Sequence, residues 1–134
     1  MYSVAADSPL HGRAREWLEK VLRGRVQVAI PWQSIGAFLR ISTNHRAVGH
    51  PLTPDEAWAN VEAWLSASVV TIPVASRRTA RILGELVRRH HVTANLVPDA
   101  QLAALALEHG LMVMSADTNF ARFSEITWEN PLTG

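Results

Sequence analysis

Apolar positions along this chain alternate between helical spacing and short unbroken runs. Trp17, Leu18, Val21 and Leu22 form a helical stripe. Ser8 before Pro9 supplies an N-cap and a first-turn proline, and Gly24 supplies a stop, so a helix is predicted from about Ser8 to Arg23. Val26 to Ile30 is a short apolar run, read as a buried strand. Pro31 opens a second helix to about Ser42, apolar at Ile35, Phe38, Leu39 and Ile41.

After a loop from Asn44 to Leu52, the string Thr53-Pro54-Asp55-Glu56 has the form of a capping box. The helix it starts is predicted to bury Ala57, Trp58, Val61, Trp64 and Leu65. Val69 to Ile72 reads as a strand closed by Pro73, and Ser76 caps a helix to about His90. Val97-Pro98-Asp99 opens a helix that is apolar on most sides, a pattern that indicates burial against a sheet, and Gly110 ends it. Leu111 to Met114 and Ile126 to Trp128 read as the last strands.

Short apolar strands alternating with helices imply one α/β domain over residues 1–134, with a mostly parallel sheet covered on both faces. Active sites in such folds lie beyond the carboxyl ends of the strands. One feature departs from the pattern. The chain opens on a helix, with Met1 to Ala6 reading as the tail of an element, so the first strand is expected to be missing.

Composition narrows the chemistry. There is no cysteine, which excludes disulfides, thiol catalysis and Cys-based zinc sites. No apolar run approaches the roughly 18 residues of a membrane span, and the first residues lack the order of a signal peptide. A soluble cytoplasmic protein is the expectation. The net charge of +1 names no partner. Five arginines lie between Ser76 and His91 against the single acid Glu85; Arg81–Glu85 and Glu85–Arg89 are spaced for pairing, so a solvated helix face is expected before RNA contact. The five tryptophans mostly fall on apolar stripes, which favours core packing over base stacking.

Two carboxylates remain. Asp117 follows a predicted strand almost directly, and Asp99 sits in the first turn of the apolar helix. Each alone has a structural explanation, as an N-cap or as a complement to the helix dipole. Together at one sheet edge they would place two negative charges close together, which either raises a pKa or binds a cation. Oxygen-only ligands suit Mg²⁺ or Mn²⁺, ions that activate water and stabilise charge in phosphoryl transfer. Asn119, Thr43 and Asn44 are weaker candidates for supporting or substrate contacts, each with a turn or helix-end role available. The six histidines show no metal-ligand pairing, and no phosphate-binding glycine loop or serine nucleophile elbow occurs.

Four strings are more specific: Phe38-Leu39-Arg40-Ile41-Ser42-Thr43-Asn44, the run from Leu96 to Ala106, the run from Ser115 to Phe123, and Trp128-Glu129-Asn130-Pro131-Leu132. In content, order and spacing the chain resembles the PIN-domain toxins of bacterial VapBC toxin–antitoxin modules. The resemblance implies a three-layer α/β/α sandwich with a central parallel sheet. It implies an endoribonuclease that uses Mg²⁺ or Mn²⁺ to cut cellular RNA, arrests growth, forms a homodimer and is neutralised by a VapB-type antitoxin. Asp99 and Asp117 match two members of the family's acidic metal cluster.

Two departures stand out. The family carries another aspartate at the end of its first strand, and the resemblance puts that position upstream of Met1, through an internal start or a decayed gene. Many members also have a glutamate near Gly36 or Ala37, whereas no acid occurs between Val26 and Pro54 here, and Asn119 replaces a frequent acid. An impaired PIN protein that binds antitoxin without cleaving RNA is therefore the alternative expectation.

Overall fold

The computed structural model describes residues 3–6, 20, 23–24, 27–46, 49–115 and 118–130. Five parallel strands form one sheet: β1 (Ser3–Ala6), β2 (Gln27–Ala29), β3 (Val70–Thr71), β4 (Met112–Met114) and β5 (Trp128–Glu129), in the order β3-β2-β1-β4-β5. Four helices with both ends among the described residues accompany them: α1 (Trp32–Ser42), α2 (Pro54–Ser66), α3 (Arg77–His90) and α4 (Val97–His109).

The expectation of a missing first strand is corrected here. Ser3–Ala6 fill the central slot, with Val4 in register with both Val28 and Met112. The physical reason is backbone pairing: an empty slot between β2 and β4 would leave facing rows of N–H and C=O groups without partners. The helix expected from Ser8 to Arg23 lies almost wholly outside the described residues; Lys20 within it is helical.

The two faces of the sheet carry two cores. Val28, Ile30, Met112 and Met114 pack with Ile35 and Phe38 of α1 and Ala57, Val61 and Trp64 of α2. Val113, between the two methionines, packs on the other side with Leu86 of α3, the alanines of α4, Phe120 and Phe123. This period-two alternation divides the three layers. Phe38 and Trp64 meet edge to face with centroids 4.6 Å apart. The predicted burial of Trp58 fails, since its side chain is 43% exposed.

Local chemistry sets the helix boundaries. Thr53 and Glu56 form both bonds of the capping box, at 3.1 and 3.0 Å. Ser76 caps α3 with Thr79 as its reciprocal partner, and both hydroxyls also donate to the carboxylate of Glu108 near the end of α4. These contacts tie the antiparallel pair α3 and α4 together. Gly110 ends α4 at φ 65°, a left-handed conformation that glycine adopts without steric cost. In α4, Ala100, Leu102, Ala103, Ala104, Leu105 and Ala106 are all buried, as its all-round apolar sequence predicts.

Candidate active site

A helix that leads directly into a parallel strand runs antiparallel to it, so its first turn lies at the strand's carboxyl end. Gly110 and Leu111 join α4 to β4 in this way. Asp99, in the first turn of α4, is therefore set at the carboxyl edge of the sheet. Its side chain is half-buried. The helix N-terminus favours a negative charge at this position. The six buried residues that follow fix the axis of α4, and so fix where the carboxylate sits.

The second predicted acid, Asp117, lies outside the described residues. The segment that carries it is anchored on both sides. Before it, buried Ser115 donates its N–H to the Glu129 carbonyl at 3.1 Å and accepts the Trp128 indole N–H on its own carbonyl at 3.0 Å. After it, Thr118–Arg122 form a 3₁₀ turn whose Phe120 is buried, and Phe123 is buried beyond it. Asn119 lies exposed in that turn, at the carboxyl end of β4.

The remaining candidates are not brought to this edge. α1 follows β2, so its C-terminus points away from the carboxyl edge. Thr43 caps that end, its hydroxyl donating to the Leu39 carbonyl at 2.6 Å. Asn44 accepts the Arg46 N–H at 2.9 Å. Both side chains serve the turn after α1.

Charge pairing on α3 also differs from expectation. Neither Arg81–Glu85 nor Glu85–Arg89 is an ion pair among the described residues. Arg89 reaches instead to Glu125, at 2.7 Å, in the segment before β5. His90 Nε2 lies 2.9 and 3.0 Å from the two oxygens of the same carboxylate, and its ring packs edge-on against Phe123. Burial pushes the Glu125 carboxyl upward, but the bonds from His90 and Arg89 outweigh it and hold the group below the usual carboxylate range.

Asp99 offers carboxylate oxygens, the ligand type that hard divalent cations take, and the chain has no cysteine to favour a softer ion. Among the described residues no group of three or more His, Asp or Glu is placed to hold a metal. A metal donor set around Asp99 would need acids outside the described residues.

One further residue at this edge was not singled out by its sequence pattern. Trp32, one of five tryptophans read as a group as mostly core packing, is the first residue of α1 and is 64% exposed. The preceding Pro31, a helix N-cap in extended conformation, was the available signal that Trp32 starts the helix at a strand end.

Comparison with known proteins places the chain. The PIN domain family matches residues 1–126. Ribonuclease VapC33 of Mycobacterium tuberculosis is 33% identical over 132 residues, spanning 98% of this chain and 92% of that protein. Ribonuclease VapC37 of the same species is 34% identical over 131 residues, spanning 98% and 91%. The fold superimposes on a chain of the VapBC2 complex of Rickettsia felis, bound to a promoter DNA fragment, with a TM-score of 0.67 at 14% identity, covering 96% of this chain and 98% of that one. The chain belongs to the PIN domain family.

Proposed function

We propose that this protein is the toxin of a type II toxin–antitoxin pair, an endoribonuclease that cuts cellular RNA and is restrained by a VapB-type antitoxin. Full-length similarity to VapC ribonucleases and the VapBC complexes among its structural neighbours support this reading. The observation that carries it is the half-buried carboxylate of Asp99 at the carboxyl edge of a parallel sheet, on a helix immobilised by its own burial.

In this proposal Asp99 and Asp117 hold Mg²⁺ or Mn²⁺. When bound, the ion lowers the pKa of a water and offsets charge that develops on the phosphodiester. The chain's own residues do the positioning. The first turn of α4 presents Asp99, and the pinned end of β4 fixes the start of the segment that bears Asp117. Asn119 in the turn after β4 serves as a supporting or substrate contact. Asp7 is the residue that follows Ala6 of the central strand in the chain. Asp7→Asn measured beside Asp99→Asn tells whether a third carboxylate joins the set. Two copies of the chain form the active toxin, each a single domain over residues 1–134 acting in the cytoplasm.

One observation favours the alternative of an impaired antitoxin-binding protein: α1 carries no acid where many family members have a glutamate. A cleavage assay on single-stranded RNA with added Mg²⁺ or Mn²⁺ separates the two. The toxin reading predicts metal-dependent cutting that antitoxin suppresses. Antitoxin binding without any cutting would establish the alternative.

A further inference from the structure

We infer that Trp32 is a stacking platform for an unpaired base of the RNA substrate, an inference that rests on the ribonuclease reading above. The indole is not used by the core. Ser34, Ile35 and Phe38 on the same helix are buried, whereas Trp32 is 64% exposed. Its position is fixed by the chain. β2 ends at Ala29, and Ile30 and Pro31, both buried, lead straight into the helix. Trp32 thus stands at the carboxyl end of β2, on the same sheet edge as Asp99.

Two further observations place it next to the reacting groups. β1 lies between β2 and β4, which are two strand spacings or about 10 Å apart, so Trp32 beyond β2 and the Thr118–Arg122 turn beyond β4 straddle the end of the central strand. Arg122 in that turn is exposed and supplies a cation for a backbone phosphate. Gln33, adjacent to Trp32, lines one cleft with Gln101, which follows Asp99 by two residues. The N-terminal halves of α1 and α4 therefore border one cleft. An aromatic face, a cation and amide side chains around an acidic metal site are the groups that hold single-stranded RNA: the face stacks any base, and the amides reach base edges.

The test uses the full chain. Cleavage of a single-stranded RNA oligonucleotide with Mn²⁺ is followed for wild type, Trp32→Ala and Trp32→Phe, with Trp58→Ala as a control for an exposed tryptophan on α2. Binding of the same oligonucleotide is read by fluorescence anisotropy in an Asp99→Asn background, with and without Trp32→Ala. Trp32→Ala is expected to raise KM and weaken binding by about ten- to a hundredfold, the range for loss of one base stack. kcat changes little, Trp32→Phe recovers most of the loss, Trp58→Ala has no effect, and thermal unfolding of Trp32→Ala matches wild type. Unchanged KM and binding in Trp32→Ala would overturn the inference. So would a variant that keeps its RNA affinity but no longer retains the antitoxin, which would make Trp32 a protein contact. If the wild-type chain binds RNA without cutting it, the activity reading fails while the anisotropy arm still decides the role of Trp32.

Discussion

Replacing Glu125 with glutamine removes a charge that joins the end of α3 to the segment before β5. Glu125 accepts from Arg89 at 2.7 Å and lies 2.9 and 3.0 Å from His90 Nε2. The Arg89 side chain is 61% exposed, so solvent and salt screen that pair to about 0.5 kcal/mol. His90 and Glu125 are far less exposed, at 14% and 18%, and a hydrogen bond to a charged group in that setting contributes about 1.5 kcal/mol. Glu125→Gln should therefore cost about 2 kcal/mol at pH 7, and for a domain of this size lower Tm by about 7 °C. The expected pH dependence follows from the depressed carboxyl pKa. A carboxylate held below its unfolded value stabilises the fold above about pH 4.3 and loses that effect as pH falls through its folded pKa. Urea unfolding of wild type and Glu125→Gln at pH 7, 5 and 3 reads this directly. The gap should be widest at pH 7 and close toward pH 3. A gap that widens on acidification, or equal stability at pH 7, would show that the Glu125 carboxylate does not stabilise the fold.

Other substitutions probe the packing and the site. Phe38→Ala empties a buried position that also loses its edge contact with Trp64, and should cost about 3–5 kcal/mol in chemical denaturation. His91 caps α3 in the left-handed region at φ 51°, so His91→Gly should stabilise the protein by about 1 kcal/mol in the same assay. Gly36 lies exposed inside α1, and a Cβ there meets nothing within 4 Å; Gly36→Ala should add about 0.5–1 kcal/mol. Removal of divalent cations with EDTA should abolish RNA cleavage, and Mn²⁺ or Mg²⁺ should restore it, in a gel assay.

The elements legible in the sequence were those whose signals are local. The Thr53–Glu56 capping box, the Ser76 cap, the Gly110 stop and the all-round apolar α4 each depend on residues a few positions apart, and each appears where its pattern predicted. The misses share the opposite cause. Ser3–Ala6 are too few to show a period, and their place in the sheet comes from pairing with strands more than 20 residues away. Glu125 competes for Arg89 from across the fold, so the neighbouring Glu85 loses the pairing that helical spacing offered. β5 begins at Trp128 and not at Ile126, because its bounds follow pairing with β4. Trp32 and Trp58 fell on helices with one apolar face, and only the packing shows which side of each helix meets the sheet. In the candidate site, Asp99 was legible because a helix first turn and a buried stripe are both written locally. Thr43 and Asn44 were placed at the end of the right helix, but that end faces away from Asp99.

Asp99 at the sheet edge is proposed to serve a metal-dependent ribonuclease. Cleavage of single-stranded RNA by wild type and by Asp99→Asn, each with saturating Mn²⁺ and with folding checked by circular dichroism, tests it most directly. Wild type is expected to cut the RNA, and a folded Asp99→Asn protein is expected not to. Full cleavage by Asp99→Asn would contradict that role.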